Sequence, residues 1–360
     1  MDRLFKHAEE LGFSLFFSFD HNYFQDPSTY AEYLKPFLQK TSYYRYNGKP
    51  LVSTFGGESV SNEQWASLKQ TVGDIVLVPG FFQATPSDNF FDDKSSLDGV
   101  FNWNAWPYAS AGKTEVSTID DEKYMTAAGT DKLFMLGMSP IQFKHMDTNN
   151  NWYVRGEGNF ENRIEQALAL QPDMIELQTW NDAGESHYMG NIWPEPRTNA
   201  PAISAYVEGY DHTGYQQILP AFIQAWKRGD TTAAGMVPTN GKSVQGTFWH
   251  HTLTVDADCS SDPIGKPRDI DNAEDAVIMV VLVAKGKTGL VVVVNNGREL
   301  GKKTLVEGFN KVKVAGVGAG KVQVEVWDGS TLVAGGYGPL EVATSSNLCN
   351  YNFQVVGFTG

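Results

Sequence analysis

The sequence predicts an α/β fold, a (β/α)₈-type barrel followed by an antiparallel β-sandwich. In residues 1–230, short apolar runs alternate with helical patterns, which is typical of parallel βα units. After Gly229 the helical patterns stop, and short alternating runs are separated by Gly-rich turns. The 360 residues, 41% of them hydrophobic, are enough for two domains. We place a barrel domain at 1–235 and a β-sandwich domain at 236–360.

The barrel region begins with a helix over about residues 2–11 and then supplies six runs with the character of strands. These runs lie at residues 14–20, 50–55, 74–79, 97–103, 132–138 and 173–180. Further helical patterns fall at residues 62–72, 120–128, 161–170 and 216–229. A closed barrel needs eight strands. We therefore expect the barrel to be incomplete at the N-terminus, lacking on the order of 40–60 residues by the size of βαβ units. An open sheet is the alternative.

The second region, of about 115 residues, is rich in β-branched residues and contains both cysteines. Its valine-rich run AVIMVVLVAKGKTGLVVVV is expected to fold back as a hairpin around Lys285–Gly289. Cys259 and Cys349 have no metal-binding spacing. Either they pair, which requires an oxidising compartment, or they are two unrelated buried thiols.

Charge and composition exclude several partners. The formal net charge of −14 opposes binding to nucleic acid and to anionic membranes. The sequence contains no apolar run long enough for a transmembrane helix, and its first residues do not read as a signal peptide. Nine Trp and fifteen Tyr are compatible with an amphipathic neutral ligand such as a sugar.

Two carboxylates, Asp182 and Glu185, stand three residues apart directly after the last strand-like run. In parallel α/β barrels the active site lies at the carboxyl ends of the strands. Glycoside hydrolysis requires two such acids, one to protonate the leaving oxygen and one to activate water or attack. The alternative is a plain turn, because Asn-Asp-Ala-Gly is good turn chemistry and Glu185 suits the first turn of a helix. The residues alone leave both interpretations open.

Other polar and aromatic residues follow the predicted strands, and together they could bind a sugar. Each of them, taken singly, is more often structural. The candidate substrate-binding residues are Asp20, His21, Glu58, Trp103, Trp106, His145, Trp180, Asn181, His187 and Tyr188.

The segment WNDAGESHYMG resembles the WND-x-GESHY signature of glycoside hydrolase family 71, the fungal α-1,3-glucanases or mutanases. FFSFD, PLVSTFGGES, LDGVFNWNAWP and SPIQFKH resemble further blocks of that family in the same order. The resemblance runs from about residue 3 to the end, and in the C-terminal region it includes TFWHH and AEDAVIMVVLV.

The resemblance implies a (β/α)₈ barrel with a β-sandwich, and hydrolysis of α-1,3-glucan with inversion. It implies no metal and no organic cofactor, a secreted or cell-wall location, and catalytic roles for Asp182 and Glu185. We expect endo action by a monomer. Ile141 stands where the family usually has an aromatic residue, and Ala183 stands where it commonly has tyrosine. Because the family's first strands precede the start of this chain, a non-catalytic glucan-binding protein or an inactive truncated member is the alternative.

Overall fold

A parallel sheet organises the N-terminal part of the chain in the computed structural model, which describes residues 1–190 and 192–360. The strands up to residue 177 are β1 (Phe17–Asp20), β2 (Arg45–Tyr46), β3 (Lys49–Phe55), β4 (Val76–Gly80), β5 (Gly99–Asn102), β6 (Leu133–Met138), β7 (Gln142–His145), β8 (Asn151–Val154) and β9 (Met174–Leu177). The sheet has the order β1-β3-β4-β5-β6-β9, with the short β2 beside β3. Strands β1, β3, β4, β5 and β6 run parallel.

These six strands coincide with the six runs predicted from the sequence. In the described residues β1 and β9 stand at opposite ends of the strand order, so the sheet is an open half-barrel of six strands. A cluster of buried side chains covers one face of it, made of Leu51, Val76, Val78, Phe101, Met135 and Met174. Strands β7 and β8 form a separate antiparallel hairpin.

Helices stand between most of the parallel strands. They are α1 (Asp2–Glu10), α2 (Tyr30–Leu34), α3 (Asn62–Val72), α4 (Ile119–Ala128), α5 (Phe160–Leu170), α6 (Pro194–Thr198), α7 (Pro201–Val207) and α8 (Leu219–Arg228). Helix α3 begins at a capping box, in which Ser61 Oγ accepts from Gln64 N and the Gln64 side chain accepts from Ser61 N. No helix within the described ranges is long and apolar enough to cross a membrane.

Strands also fill the C-terminal part of the chain. They are β10 (Val244–His251), β11 (Leu253–Asp258), β12 (Ala276–Val283), β13 (Gly289–Asn295), β14 (Arg298–Leu305), β15 (Gly308–Ala315), β16 (Val322–Asp328), β17 (Thr331–Tyr337), β18 (Ala343–Ser345) and β19 (Phe353–Thr359). Two four-stranded antiparallel sheets result, with orders β15-β12-β10-β19 and β14-β13-β16-β17. Side chains from both sheets, among them Phe248, Met279, Val293 and Val324, belong to one buried cluster.

The hairpin predicted around Lys285–Gly289 is wrong. β12 pairs with β10 and β15, whereas β13 pairs with β14 and β16. The residues between β12 and β13 therefore lead from one sheet to the other. Both runs bury valines in the core that the two sheets share, so their similar composition reflects burial and not pairing with each other.

The chain divides into two compact units, each made of several stretches of sequence. The first unit contains residues 1–105, 117–137 and 172–176. The second contains residues 106–116, 138–171 and 177–360. The boundary near residue 235 stays a prediction.

Cys259 and Cys349 are joined by a disulfide, with Cα atoms 5.9 Å apart and 90 residues of separation in sequence. Both cysteines are buried.

Because the disulfide closes a long loop, replacing both cysteines with serine is expected to lower the free energy of unfolding by about 4 kcal/mol. Urea denaturation of the double variant beside the wild type measures the change. An unchanged unfolding midpoint would show that the bond adds nothing to stability.

Candidate active site

The loop after β9 carries both predicted catalytic acids in the second unit. Asp182 N donates to Thr179 Oγ1 at 2.8 Å, and Asp182 Oδ1 accepts from Glu185 N at 3.1 Å. These bonds form the turn that the sequence offered as an alternative. The second oxygen, Oδ2, lies 3.1 Å from His187 Nε2. One oxygen of Asp182 therefore stabilises the turn, and the other faces His187.

Glu185 is held by the hairpin β7–β8. Phe143 N donates to the main-chain oxygen of Glu185 at 2.9 Å. Gln142 Nε2 donates to Glu185 Oε2 at 2.6 Å, and Lys144 Nζ lies 3.7 Å from Oε1. The strand thus fixes both the backbone and the carboxylate of Glu185.

His187 lies close to both acids. Its side chain is fully buried, and Nε2 lies 3.1 Å from Asp182 Oδ2 and 3.9 Å from Glu185 Oε2. The ring of Trp106 packs against it, with ring centres 5.5 Å apart. His187 is therefore placed to orient the carboxylates, and Trp106 to orient His187.

The surroundings favour the ionised form of Asp182. Burial raises the pKa of this carboxyl, but the hydrogen bond and charge of His187, the Glu185 N–H and Lys144 outweigh burial and hold the pKa below its ordinary value. An ionised Asp182 can accept a proton from water. On the other side of the loop, Tyr206 Oη donates to Gly184 O at 2.7 Å. Burial raises the pKa of Tyr206 well above its ordinary value, so the phenol stays protonated.

Trp180 and Asn181 lie beside the acids and are exposed. The Trp180 ring lies directly over Gly190, where a Cβ atom would come within 2.4 Å of Cδ2 and Cε2 of the ring. Only glycine at this position allows the indole to lie so close to the backbone. The indole of Trp180 therefore packs against the backbone of Gly190.

Four of the predicted binding residues belong to the first unit. His21 and Glu58 both lie beside Gly56, where a built Cβ would be 3.2 Å from His21 Cβ and 3.7 Å from Glu58 Oε2. Burial lowers the pKa of His21, while the charges of Glu58 and Asp20 raise it. Glu58 Oε1 accepts from Gln83 N at 2.7 Å. Trp103 packs edge-to-face on Phe55, with ring centres 4.6 Å apart.

Two predicted binding residues, His145 and Tyr188, have polar atoms bonded inside the protein. His145 bonds Asn151 Oδ1 through Nδ1 at 2.8 Å and Asp262 Oδ2 through Nε2 at 2.9 Å, so both ring nitrogens are engaged inside the protein. Tyr188 is buried, donates to Tyr210 O at 2.6 Å and stacks on His212. These contacts support the fold, and a binding role for either residue stays a prediction.

Sequence reasoning missed Gln142, Lys144 and Tyr206. The available signal was the alternation in QFKH, where Gln142 and Lys144 share one face of β7 while Phe143 and His145 are buried on the other. Tyr206 carried no signal, because its contact with the loop depends on how α7 folds back.

Asp182, Glu185 and His187 also form the kind of group that can hold a metal ion. Each offers one ligand atom, and these atoms all lie within 4.8 Å of one another. The ammonium group of Lys144, 3.7 Å from Glu185, opposes a second cation there. The expectation of a metal-free and cofactor-free site stays a prediction.

The model of the family described as glycosyl hydrolase family 71 matches residues 1–360, the whole chain. This chain belongs to glycosyl hydrolase family 71. Family 71 membership agrees with the resemblance drawn from WNDAGESHYMG, and it makes the acid-bearing loop the candidate active site of a glycoside hydrolase.

Curated relatives of this family 71 chain are fungal. It is similar to the ascus wall endo-1,3-alpha-glucanase of Schizosaccharomyces pombe (strain 972 / ATCC 24843), with 28% identity over 347 residues, covering 91% of this chain and 78% of that protein. The glucan endo-1,3-alpha-glucosidase agn1 of the same organism is 30% identical over 355 residues, covering 94% and 78%. A mutanase of Penicillium rubens (strain ATCC 28089 / DSM 1075 / NRRL 1951 / Wisconsin 54-1255) is 30% identical over 360 residues, covering 98% and 76%.

Among solved structures, the family 71 chain is similar to the GH99 endo-alpha-mannosidase from Bacteroides thetaiotaomicron. The TM-score is 0.41 at 17% identity, covering 52% of this chain and 58% of that one.

Proposed function

We propose that the protein hydrolyses α-1,3-glucosidic bonds of α-1,3-glucan. The observation that carries this proposal is the pair Asp182 and Glu185, brought together with His187 on the loop after the last parallel strand of a family 71 chain. The names of the relatives, two endo-1,3-alpha-glucanases or glucosidases and a mutanase, support this substrate. A polysaccharide partner is neutral, which suits a chain of net charge −14.

In the proposed mechanism Glu185 acts as general acid and Asp182 as general base. The lowered pKa of Asp182 supports the second role, because a base must be ionised. Glu185 protonates the leaving glycosidic oxygen while Asp182 takes a proton from the attacking water. Trp180 and Asn181, on the same loop as the acids, are proposed to contact the sugar. A binding role for Asp20, His21, Glu58 and Trp103 of the first unit stays a prediction.

We also propose that hydrolysis inverts the anomeric configuration and that the enzyme cleaves internal bonds of the chain. One carboxylate oxygen of each acid lies within 4.8 Å of the other, closer than the separation of about 6.5–9.5 Å usual in inverting enzymes, so inversion rests on the family resemblance and not on this spacing. The anomeric form of the first product, followed by NMR during the first turnovers, checks this point. A β-anomer shows inversion of the α-linkage, and an α-anomer shows retention.

The remaining proposals concern architecture and setting. We interpret the six-strand sheet as part of a (β/α)₈-type barrel and the two antiparallel sheets with one core as a β-sandwich, divided near residue 235. The disulfide supports an oxidising, secreted or cell-wall location. We propose that the chain acts as a monomer.

Purified protein incubated with insoluble α-1,3-glucan is expected to release soluble reducing sugars, and to release none from an α-1,4-linked glucan. Activity on neither polymer would overturn the proposal. Retention of the protein on the insoluble α-1,3-glucan without product would instead identify a non-catalytic binding protein.

Replacing His187 with glutamine is expected to move the acid limb of the pH–rate profile to higher pH. Burial raises the pKa of Asp182, and His187 is the main group that lowers it. Without the imidazole that pKa rises, so Asp182 is protonated, and inactive as a base, at a higher pH than before. The measurement is kcat/KM against pH on a soluble α-1,3-linked oligosaccharide. An acid limb at the wild-type position in a folded variant would contradict this role of His187.

A further inference from the structure

A hollow of about 510 Å³ opens in the second unit beside the catalytic loop. Asn181 and Ala183, the two residues that flank Asp182, both line it. The rest of its wall comes from the segment that follows the loop, with Ile192, Trp193, Glu195, Arg197, Ala200 and Ile203. None of these six residues is required for the two-acid mechanism.

The hollow lies close to the carboxylate of Asp182. A Cβ atom built at Gly184 would lie 3.4 Å from Asp182 Oδ1 and 3.6 Å from Ile203 Cδ1. Both atoms lie near the same point, so Asp182 Oδ1 and Ile203 Cδ1 are no more than about 7 Å apart. A sugar unit in the hollow would consequently be close to the bond that the acids act on.

The lining has both an apolar surface and polar groups, which match the C–H face and the hydroxyls of a pyranose ring. Trp193 is 65% exposed and, with Ile192 and Ile203, offers an apolar surface for the ring's C–H face. Asn181, Glu195 and Arg197 supply polar groups for hydroxyls. An exposed indole costs free energy in water, and its presence in the wall of a cavity is typical of a ligand site.

Arg197 gives an independent sign of a ligand. Its Nε is buried, and within the described part of the chain this atom has no hydrogen-bond partner. A buried donor without an acceptor is unfavourable until something supplies one. Arg197 and Ile192 also line an adjoining hollow of about 300 Å³. The two cavities therefore meet at Arg197, as a site for consecutive units of a polymer requires.

We propose that this hollow binds a glucosyl unit of α-1,3-glucan adjacent to the cleaved bond, with Trp193 as the stacking surface and Arg197 as a hydroxyl-binding donor. The inference rests on the proposed function and adds two binding residues to it. Ala183 keeps the hollow open, because its methyl group leaves space that a large side chain would occupy.

Binding is measured apart from hydrolysis by calorimetry in the Asp182→Asn background, with α-1,3-linked glucose oligosaccharides of increasing defined length. Trp193→Ala is expected to weaken binding about tenfold for oligosaccharides that reach the hollow, and not for shorter ones. Trp193→Phe is expected to retain most of the affinity. Ala183→Phe should weaken binding of the same oligosaccharides by filling the space. Tyr337→Ala removes an aromatic side chain of equal exposure, 65%, from β17 and serves as the control.

The same variants with Asp182 intact separate the two proposals. If wild type hydrolyses α-1,3-glucan while Trp193→Ala and Ala183→Phe keep wild-type affinity and KM, the hollow is not a sugar site and the proposed function stands. If the parent Asp182→Asn protein binds no α-1,3-linked oligosaccharide and wild type cleaves none, both proposals fail. A raised KM with nearly unchanged kcat in Trp193→Ala, restored by Trp193→Phe, supports the inference.

Discussion

Replacing Asp182 with asparagine, or Glu185 with glutamine, is expected to lower kcat on α-1,3-glucan by about 10²–10⁴-fold or more. Asparagine cannot take a proton from water, and glutamine cannot give one to the leaving oxygen. The fold should survive the Asp182→Asn change, since the amide oxygen of the new side chain could still accept from Glu185 N, as Asp182 Oδ1 does at 3.1 Å. Release of reducing sugar measures the activity, and thermal unfolding by circular dichroism verifies the fold.

The matched control is Glu299→Gln, which removes an exposed carboxylate from β14. We expect it to turn over substrate at the wild-type rate. Near-normal turnover by Asp182→Asn or by Glu185→Gln would remove that residue from the mechanism and with it the two-acid scheme.

Replacing Glu157 with glutamine is expected to lower the free energy of unfolding by about 3–5 kcal/mol. Glu157 is buried, with Oε1 2.7 Å from His251 Nε2 and Oε2 2.7 Å from Tyr153 Oη. Arg155 lies 3.7 Å away. Burial alone would raise the pKa of this carboxyl, but His251, the Glu274 N–H and Tyr153 lower it to about 2. Glutamine would remove the negative charge that His251 and Tyr153 contact and that lies beside Arg155.

The pH dependence of stability tests the same residue. The folded pKa of Glu157 lies below the ordinary value of 4.5, so its ionised form stabilises the fold fully above pH 4.5. That contribution, on the order of 3 kcal/mol, is lost as pH falls from 4.5 to about 2. Urea unfolding of wild type should weaken over this window more steeply than that of Glu157→Gln. Parallel curves would contradict the assignment.

A control for Glu157 is the half-exposed pair of Glu165 with Lys311, 2.5 Å apart. Because water screens this pair, Glu165→Gln is expected to change the free energy of unfolding by less than about 1 kcal/mol. A loss as large as that of Glu157→Gln would show that burial is not what makes Glu157 important.

The parallel strands could be predicted because burial on both sides leaves a local signature. Runs such as DIVLVP and KLFMLGM are continuously apolar, and they become β4 and β6. Helix α3 was predicted with its observed bounds, since Ser61 and Gly73 mark both ends. Helix α8 begins at Leu219 and not at the predicted Gln216, because Pro220 is accepted only in the first turn.

The hairpin β7–β8 was missed because each of its strands has only four residues and its partners are distant. Residues 147–150 form a turn in which Asp147 accepts from Asn149 N and Asn150 N. Glu185, whose carboxylate bonds the first residue of β7, is 43 residues further along the chain. The burial of His145 could not be predicted either, because its partner Asp262 is 117 residues away. Local patterns predict elements, but they do not predict which polar side chains become buried partners.

The buried contact between Glu157 and His251 limits how such proteins can exchange parts in evolution. Glu157 precedes α5, and His251, 94 residues later, is the last residue of β10. His145, in β7, is likewise bonded to Asp262, which follows β11. A recombinant that took β10–β19 from a chain without these partners would bury a lone carboxylate and a lone imidazole. Such a recombinant is therefore expected to be less stable, because the C-terminal strands and the segment that positions Glu185 belong to one compact unit.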